Sequence, residues 1–186
     1  MTVGDHGERF DEDGYPIEPF SEVIPNLFQA GTSYSPIQLF HQGFNAVFDL
    51  CGLDRGDGVV DETYVVYPID DVPWIEDPVA IHELGIRVAE HVRAGDKVLV
   101  NCMSGLNRSG LLVGRALVAL GYLPIEAVEL IRRARGPHAL SNREFTRFPL
   151  IDCTPPEVGC ALTDPGSSDH ACRWAAASAA RTSSSS

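Results

Sequence analysis

The sequence lacks any apolar run long enough to cross a bilayer, and it has no basic-then-apolar start of the signal-peptide kind. Together these set the expectation of a soluble, cytoplasmic chain with no membrane partner. Cysteine is sparse: there are five in 186 residues, an odd number with no C-x-x-C pair. That argues against a disulfide framework and suits a reducing compartment in which one thiol must stay free. No G-x-x-x-x-G-K-[ST] occurs, so a nucleotide P-loop is not expected. Cys153, Cys160, His170 and Cys172 fit no standard ligand spacing, and no metal or other cofactor is expected. The length suits one domain with a proper core rather than two.

Positive charge is also scarce overall, yet it is gathered. The net charge is −12, while the stretch from Arg108 to Arg147 holds seven arginines against three glutamates, a local +4. An acidic chain with its cations around one segment suits a small phosphorylated substrate better than a long polyanion, which argues against nucleic acid as a partner. Several of those arginines are expected to be ordinary solvated helix residues.

What is present centres on Val98–Gly114, VLVNCMSGLNRSGLLVG. The run Val98–Val100 reads as a buried strand, and Leu111–Leu120 reads as a helix apolar on every side. Between them lie Cys102, a short loop containing Gly105, then Arg108, Ser109 and Gly110. Strand, tight loop and helix start bring backbone N–H groups to one point, where they can hold a tetrahedral oxyanion. Cys102 is at the floor of that cradle, Arg108 can fork onto two anion oxygens, and such surroundings favour thiolate.

Residues 1–20 are acidic, poor in core formers and read as a flexible segment. From Ser21, two short strands flank the Pro25-Asn26 turn, and Ser35-Pro36 opens a short helix stopped by Gly43. Asn45–Cys51 and Glu62–Tyr67 read as further strands around the turn-rich stretch from Gly52 to Gly58. Val79–Val92 has helical spacing, with Ile81, Leu84, Val88 and Val92 on one face. Later helices start at Pro124 and at Ser141, the second with capping-box spacing to Glu144. Residues 153–186, rich in Gly, Ser, Ala and Pro, read as a disordered tail. Strands alternating with helices predict an α/β fold whose central sheet is mostly parallel and flanked by helices, with ligands at the strands' carboxyl ends.

Cys102-x5-Arg108-Ser109, preceded by Val-Leu-Val and followed by an apolar helix, resembles the phosphate loop of the cysteine-dependent protein tyrosine phosphatases, in particular their dual-specificity branch. The likeness covers residues 21–152. It implies a phosphatase fold and a phosphocysteine mechanism on phosphotyrosine, and also phosphoserine and phosphothreonine, with a phosphorylated protein or peptide as partner. Met103, Ser104, Gly105, Leu106, Asn107 and Arg108 would bind the phosphate. By the same likeness the acid is Asp71, with Asp70 as its neighbouring alternative and Glu76 and Asp77 ranked behind both. Ser109 would hydrogen-bond Cys102 as it leaves the intermediate, and Asn142, in a similar Asn-x-x-Phe, would brace the loop. Cys51, in a Leu-Cys that ends a strand, resembles a residue that traps the oxidised nucleophile as a disulfide in some relatives.

The chain departs from that pattern at Asn101, where the family has a histidine that supports the loop. An asparagine can bond to backbone but cannot carry charge. Two other readings stay open. Gly105-Leu-Asn-Arg-Ser-Gly110 and Arg135-Gly136 also resemble RNA 5′-triphosphatases of the superfamily, and a phosphate-binding pseudophosphatase would keep the loop without turnover. The oligomeric state is not legible.

Overall fold

The computed structural model describes residues 10–32, 34–52 and 63–150, apart from the side chains of Pro149 and Leu150. Ser33, the stretch 53–62, the first nine residues and the region from Ile151 onward, including the proposed tail and Cys153, Cys160, His170 and Cys172, lie outside the described residues. Five strands form one sheet: β1 (Phe20–Ile24), β2 (Leu27–Gly31), β3 (Ala46–Asp49), β4 (Tyr64–Val66) and β5 (Val98–Cys102). Their order is β1-β2-β5-β3-β4. Only the β1–β2 hairpin is antiparallel; β5 runs parallel to β2 on one side and β3 on the other, and β4 is parallel to β3. The mostly parallel α/β sheet is therefore as expected, with the strand that leads into the Cys102 loop at its centre.

Local chemistry explains the ends of these elements. Asn26 takes φ +71° in the hairpin turn, a left-handed position asparagine tolerates. Helix α1 (Pro36–His41) starts with a capping box between Ser35 and Gln38. Helix α2 (Pro78–Ala94) is capped by Asp77, whose carboxylate accepts from Ala80 N–H at 3.0 Å, and it stops at left-handed Gly95. Asp77 is thus occupied as a helix cap. Helices α3 (Arg108–Ala119) and α4 (Pro124–Arg135) follow β5. The last helix, α5 (Arg143–Leu150), begins one residue later than the Ser141 capping box implies, because its cap is Asn142: Glu144 N–H donates to Asn142 Oδ1 at 3.1 Å.

The sheet has two different faces. On one, Phe28, Ala30, Val47, Tyr64 and Leu99 pack with Leu39, Phe40 and Phe44 from α1 and its exit. On the other lies α3, buried along Ser109–Leu117 and packed against α2, α4, α5 and β5. Side chains alternate along a strand, so Cys102 and Gln29 share the α3 face while Asn101 points to the opposite one. Within the stretch read as flexible, residues 10–16 close a turn through a Phe10–Pro16 bridge, and Tyr15 stacks on His138 at 4.9 Å. Among the described residues no helix is long and apolar enough to cross a membrane.

Candidate active site

Cys102 is the last residue of β5 and is 1% exposed. Residues 103–107 connect it to α3, which begins at Arg108. The direction of each peptide in this loop follows from where its carbonyl goes. Met103 O accepts from Thr32 N–H at 3.1 Å, and Ser104 O accepts from Arg135 Nη2 at 3.4 Å. Gly105 O accepts from Arg135 Nε and from Gln29 Nε2, both at 3.0 Å. Leu106 O accepts from Leu140 N–H at 3.3 Å and from Gln29 Nε2 at 3.4 Å. All peptide bonds among the described residues are trans, so each N–H points opposite to the carbonyl of its own plane. Four carbonyls turned back into the protein leave the N–H groups of residues 104–107 facing the open side. With the positive end of α3, they form an anion cradle.

Gly105 is the pivot of the loop. Its φ is +70°, and a Cβ there would lie 2.3 Å from Gly31 N and 2.4 Å from Ala30 C. No other residue fits so close to the backbone of β2. Met103 and Ser104 are exposed on the outer lip, while Leu106 and Asn107 are half-buried.

Two arginines serve the loop from opposite sides. Arg135, the last residue of α4, is 3% exposed and also donates to Ser21 Oγ at 3.2 Å. Desolvation pushes its guanidinium down to about 10, against the attraction of the negative charge at Cys102. It remains a cation at neutral pH, directly behind the loop. Arg108 is half-buried, and its Nη1 donates to Ile69 O at 3.1 Å. Its Nε is buried with no partner among the described residues, which leaves that edge of the guanidinium for an oxyanion.

Asp71 is exposed at the rim. Its Oδ2 accepts from Asn107 Nδ2 at 3.0 Å and its Oδ1 from Asn142 Nδ2 at 3.1 Å. Asp70 instead lines a groove with Ile69, Trp74, Ile75, Ile81, Leu111 and Phe145. Asn142 caps α5 and holds the Asp71 segment, with a further bond from Nδ2 to Val72 O at 2.8 Å. It reaches the phosphate loop through its backbone N–H, which donates to Asn107 Oδ1 at 3.2 Å; Ser141 Oγ donates to the same oxygen at 3.1 Å. Asn142 thus bonds the Asp71 segment through its side-chain amide and the 103–107 loop through its backbone N–H.

Ser109 is fully buried, with Oγ 3.3 Å from Cys102 Sγ. Asn101 donates to Thr32 Oγ1 at 3.4 Å, and Thr32 Oγ1 donates to Cys51 Sγ at 3.6 Å. Cys51 follows the end of β3, where the paired strands still exchange a Leu50 N–H to Asn101 O bond of 2.9 Å. Burial raises its thiol, countered in part by the Thr32 hydroxyl and the charge of Arg108. Cys51 and Cys102 are both free.

Sequence reasoning missed Gln29, and it met Arg135 only as charge and as half of a triphosphatase-like pair. The available signals were a lone glutamine inside the apolar strand LFQAG and an arginine at the inner end of a helix.

No family model and no curated protein matches the sequence. Solved structures do match its shape. Human DUSP28 superposes with a TM-score of 0.61 at 22% identity, over 73% of this chain and 93% of that one. Tk-PTP in its active form gives 0.58 at 24%, over 71% and 94%. DUSP15 gives 0.58 at 19%, over 70% and 85%. The chain has the fold of the dual-specificity phosphatases. On that fold Cys102, Arg108 and Ser109 come together around one loop, with Asp71 on its rim.

Proposed function

We propose that the chain is a cysteine-dependent phosphatase that hydrolyses phosphotyrosine, and phosphoserine or phosphothreonine, in proteins or peptides. The observation that carries this reading is the run of four back-bonded carbonyls beside a buried cysteine, which aims four N–H groups at one oxyanion position. Catalysis needs an in-line nucleophile, stabilised equatorial oxygens and a proton for the leaving oxygen. The Cys102 thiolate attacks phosphorus while the loop amides and Arg108 hold the equatorial oxygens. The ester P–O bond breaks as Asp71 gives its proton to the departing oxygen. Asp71, now a carboxylate, takes a proton from the attacking water; the S–P bond breaks and the thiolate is restored with Ser109 beside it.

Each Asp71 oxygen accepts one amide donor, from Asn107 or Asn142, and keeps a further lone pair, so the carboxyl can carry that proton with both bonds in place. The catalytic unit in this reading is 21–152, and a free nucleophilic thiol suits the cytoplasm. The exposed lip at Met103 and Ser104 suits a shallow pocket open to more than one phosphorylated side chain.

The test is turnover of an aryl phosphate, phosphopeptides, a phosphoinositide and a 5′-triphosphate RNA, all in chelator. We expect turnover of the aryl phosphate and phosphopeptides. Cys102→Ser should abolish it while keeping vanadate binding, because the hydroxyl preserves the cradle but not the thiolate. Turnover near wild type in that variant sinks the cysteine mechanism. Oxyanion binding without turnover in the unaltered chain leaves the pseudophosphatase reading, and preference for the RNA leaves the triphosphatase one.

A further inference from the structure

Gln29 is a polar side chain with no exposed surface in the middle of β2. The acceptors around it fix how its amide is turned. Nε2 faces Gly105 O at 3.0 Å and Leu106 O at 3.4 Å, and carbonyl oxygens only accept. The nitrogen therefore faces the loop, and Oε1 faces away, with no partner among the described residues. The third neighbour of Nε2 is Ser109 Oγ at 3.1 Å. An amide nitrogen only donates, so the serine oxygen is the acceptor in that pair. Its own hydrogen remains, and Cys102 Sγ lies 3.3 Å from the same oxygen.

A serine hydroxyl in a helix has a habitual alternative, the carbonyl four residues back. For Ser109 that is Gly105 O, which already accepts from both Gln29 and Arg135 and so has both lone pairs engaged. A Cys102 thiol would itself donate to Ser109 Oγ, but once the sulfur is a thiolate it can only accept, and the hydroxyl hydrogen then has a single destination.

We propose that Gln29 is a positioning residue: by donating to Ser109 Oγ and occupying Gly105 O, it turns the Ser109 hydroxyl hydrogen onto the sulfur of Cys102. This rests on the proposed function, in which that sulfur works as a thiolate. A hydrogen bond to the charged form favours it, both before attack and when the S–P bond breaks. The arrangement matters here because Asn101 is neutral and is bonded to Thr32 on the other face of the sheet. Support for the sulfur comes from the α3 side instead.

The test follows the alkylation rate of Cys102 by iodoacetate against pH, with the modified peptide identified by mass. Gln29→Met fills the same volume without the amide and should move the midpoint of that profile up by about half a unit to one unit. Ser109→Ala should move it comparably. The double variant should move it no further than Ser109→Ala alone, because one residue acts through the other. An unmoved midpoint in Gln29→Met, or shifts that add, overturns the proposal. If Gln29→Met does not fold, Gln29→Asn withdraws the amide by one methylene and carries the same expectation and the same refutation. Alkylation needs no turnover, so a chain without phosphatase activity can still pass, and an active chain whose shifts add sinks only the role of Gln29.

Discussion

The two loops that meet at Asp71 and Asn107 are held in opposite ways. Residues 103–106 are bonded from behind, each carbonyl to an element of the core: the end of β2, the inner end of α4, or the approach to α5. The segment from Ile69 to Asp77 is held at its edge: by Arg108 on Ile69 O, by Asn107 and Asn142 on Asp71, and by Asn142 on Val72 O. The first set is buried or half-buried and is anchored in the core. The second is half-buried at Ile69 and Val72, and its two bonds on Asp71 are at the surface, where they can exchange for water or substrate. In the proposed mechanism the anion-binding amides and the nucleophile are on the fixed loop, where pre-positioning counts most. The proposed proton donor is on the exchangeable one, where it can meet first the leaving group and then water.

The largest effect is expected where the comparison is broken at the exchangeable loop. Asp71→Asn should slow hydrolysis of alkyl phosphates by about 10²–10⁴-fold and that of activated aryl phosphates far less, since only a poor leaving group needs the proton. The measurement is kcat/KM across leaving groups of graded acidity. Equal loss on every substrate, or loss only in Asp70→Asn, assigns the acid elsewhere. The groove position of Asp70 and the capping role of Asp77 are the structural reasons for preferring Asp71.

A smaller but broader loss is expected at the fixed loop. Arg135→Met keeps the bulk of the side chain and removes the donors to Ser104 O, Gly105 O and Ser21 Oγ. Hydrogen bonds to a charged group contribute about 1.5–3 kcal/mol, and loop amides no longer held in line should lower kcat/KM by about 10²–10³-fold. Unlike Asp71→Asn, the loss should be the same for good and poor leaving groups, and it should appear in the melting temperature. A variant with native stability and unchanged turnover would mean that Gln29 and the backbone bonds suffice to hold the loop.

How much of this was legible in the sequence divides along the same line. The central strand, the loop, the buried helix and the parallel sheet around them follow from local signals: a β-branched run, a glycine, an apolar helix and alternation of elements. Cys102, Arg108 and Ser109 belong to one contiguous motif and were found together. Asp71 is distant in sequence and came only through a resemblance. Gln29 and Arg135 act across separations of 76 and 30 residues on Gly105, and no local pattern encodes a contact of that kind. Burial distinguishes Arg135 from the exposed Arg132 and Arg133 beside it, and burial is a property of the assembled fold.

The smallest effect on turnover, and the sharpest on reversibility, is expected at Cys51, which stands just beyond both loops at the carboxyl edge of β3. Peroxide oxidises the Cys102 thiolate to a sulfenic acid. Attack by the Cys51 thiolate on that sulfur then forms the S–S bond and releases the oxygen as water. To make that attack, Cys51 has to leave the Thr32 hydroxyl and lose its proton. Burial raises its thiol above the ordinary range, more than Thr32 and Arg108 lower it. Below that raised value the thiolate fraction grows about tenfold per pH unit, so bridging after a peroxide pulse should accelerate from pH 7 to 9 without levelling. The rate is read from quenched samples as the Cys51–Cys102 peptide appears. Cys51→Ser should keep turnover close to wild type yet lose the recovery that dithiothreitol gives the wild-type chain after mild peroxide. Equal recovery in Cys51→Ser with no bridged peptide in the wild type would leave Cys51 as a half-buried thiol held by Thr32 and by the Asp49 carboxylate on its backbone N–H.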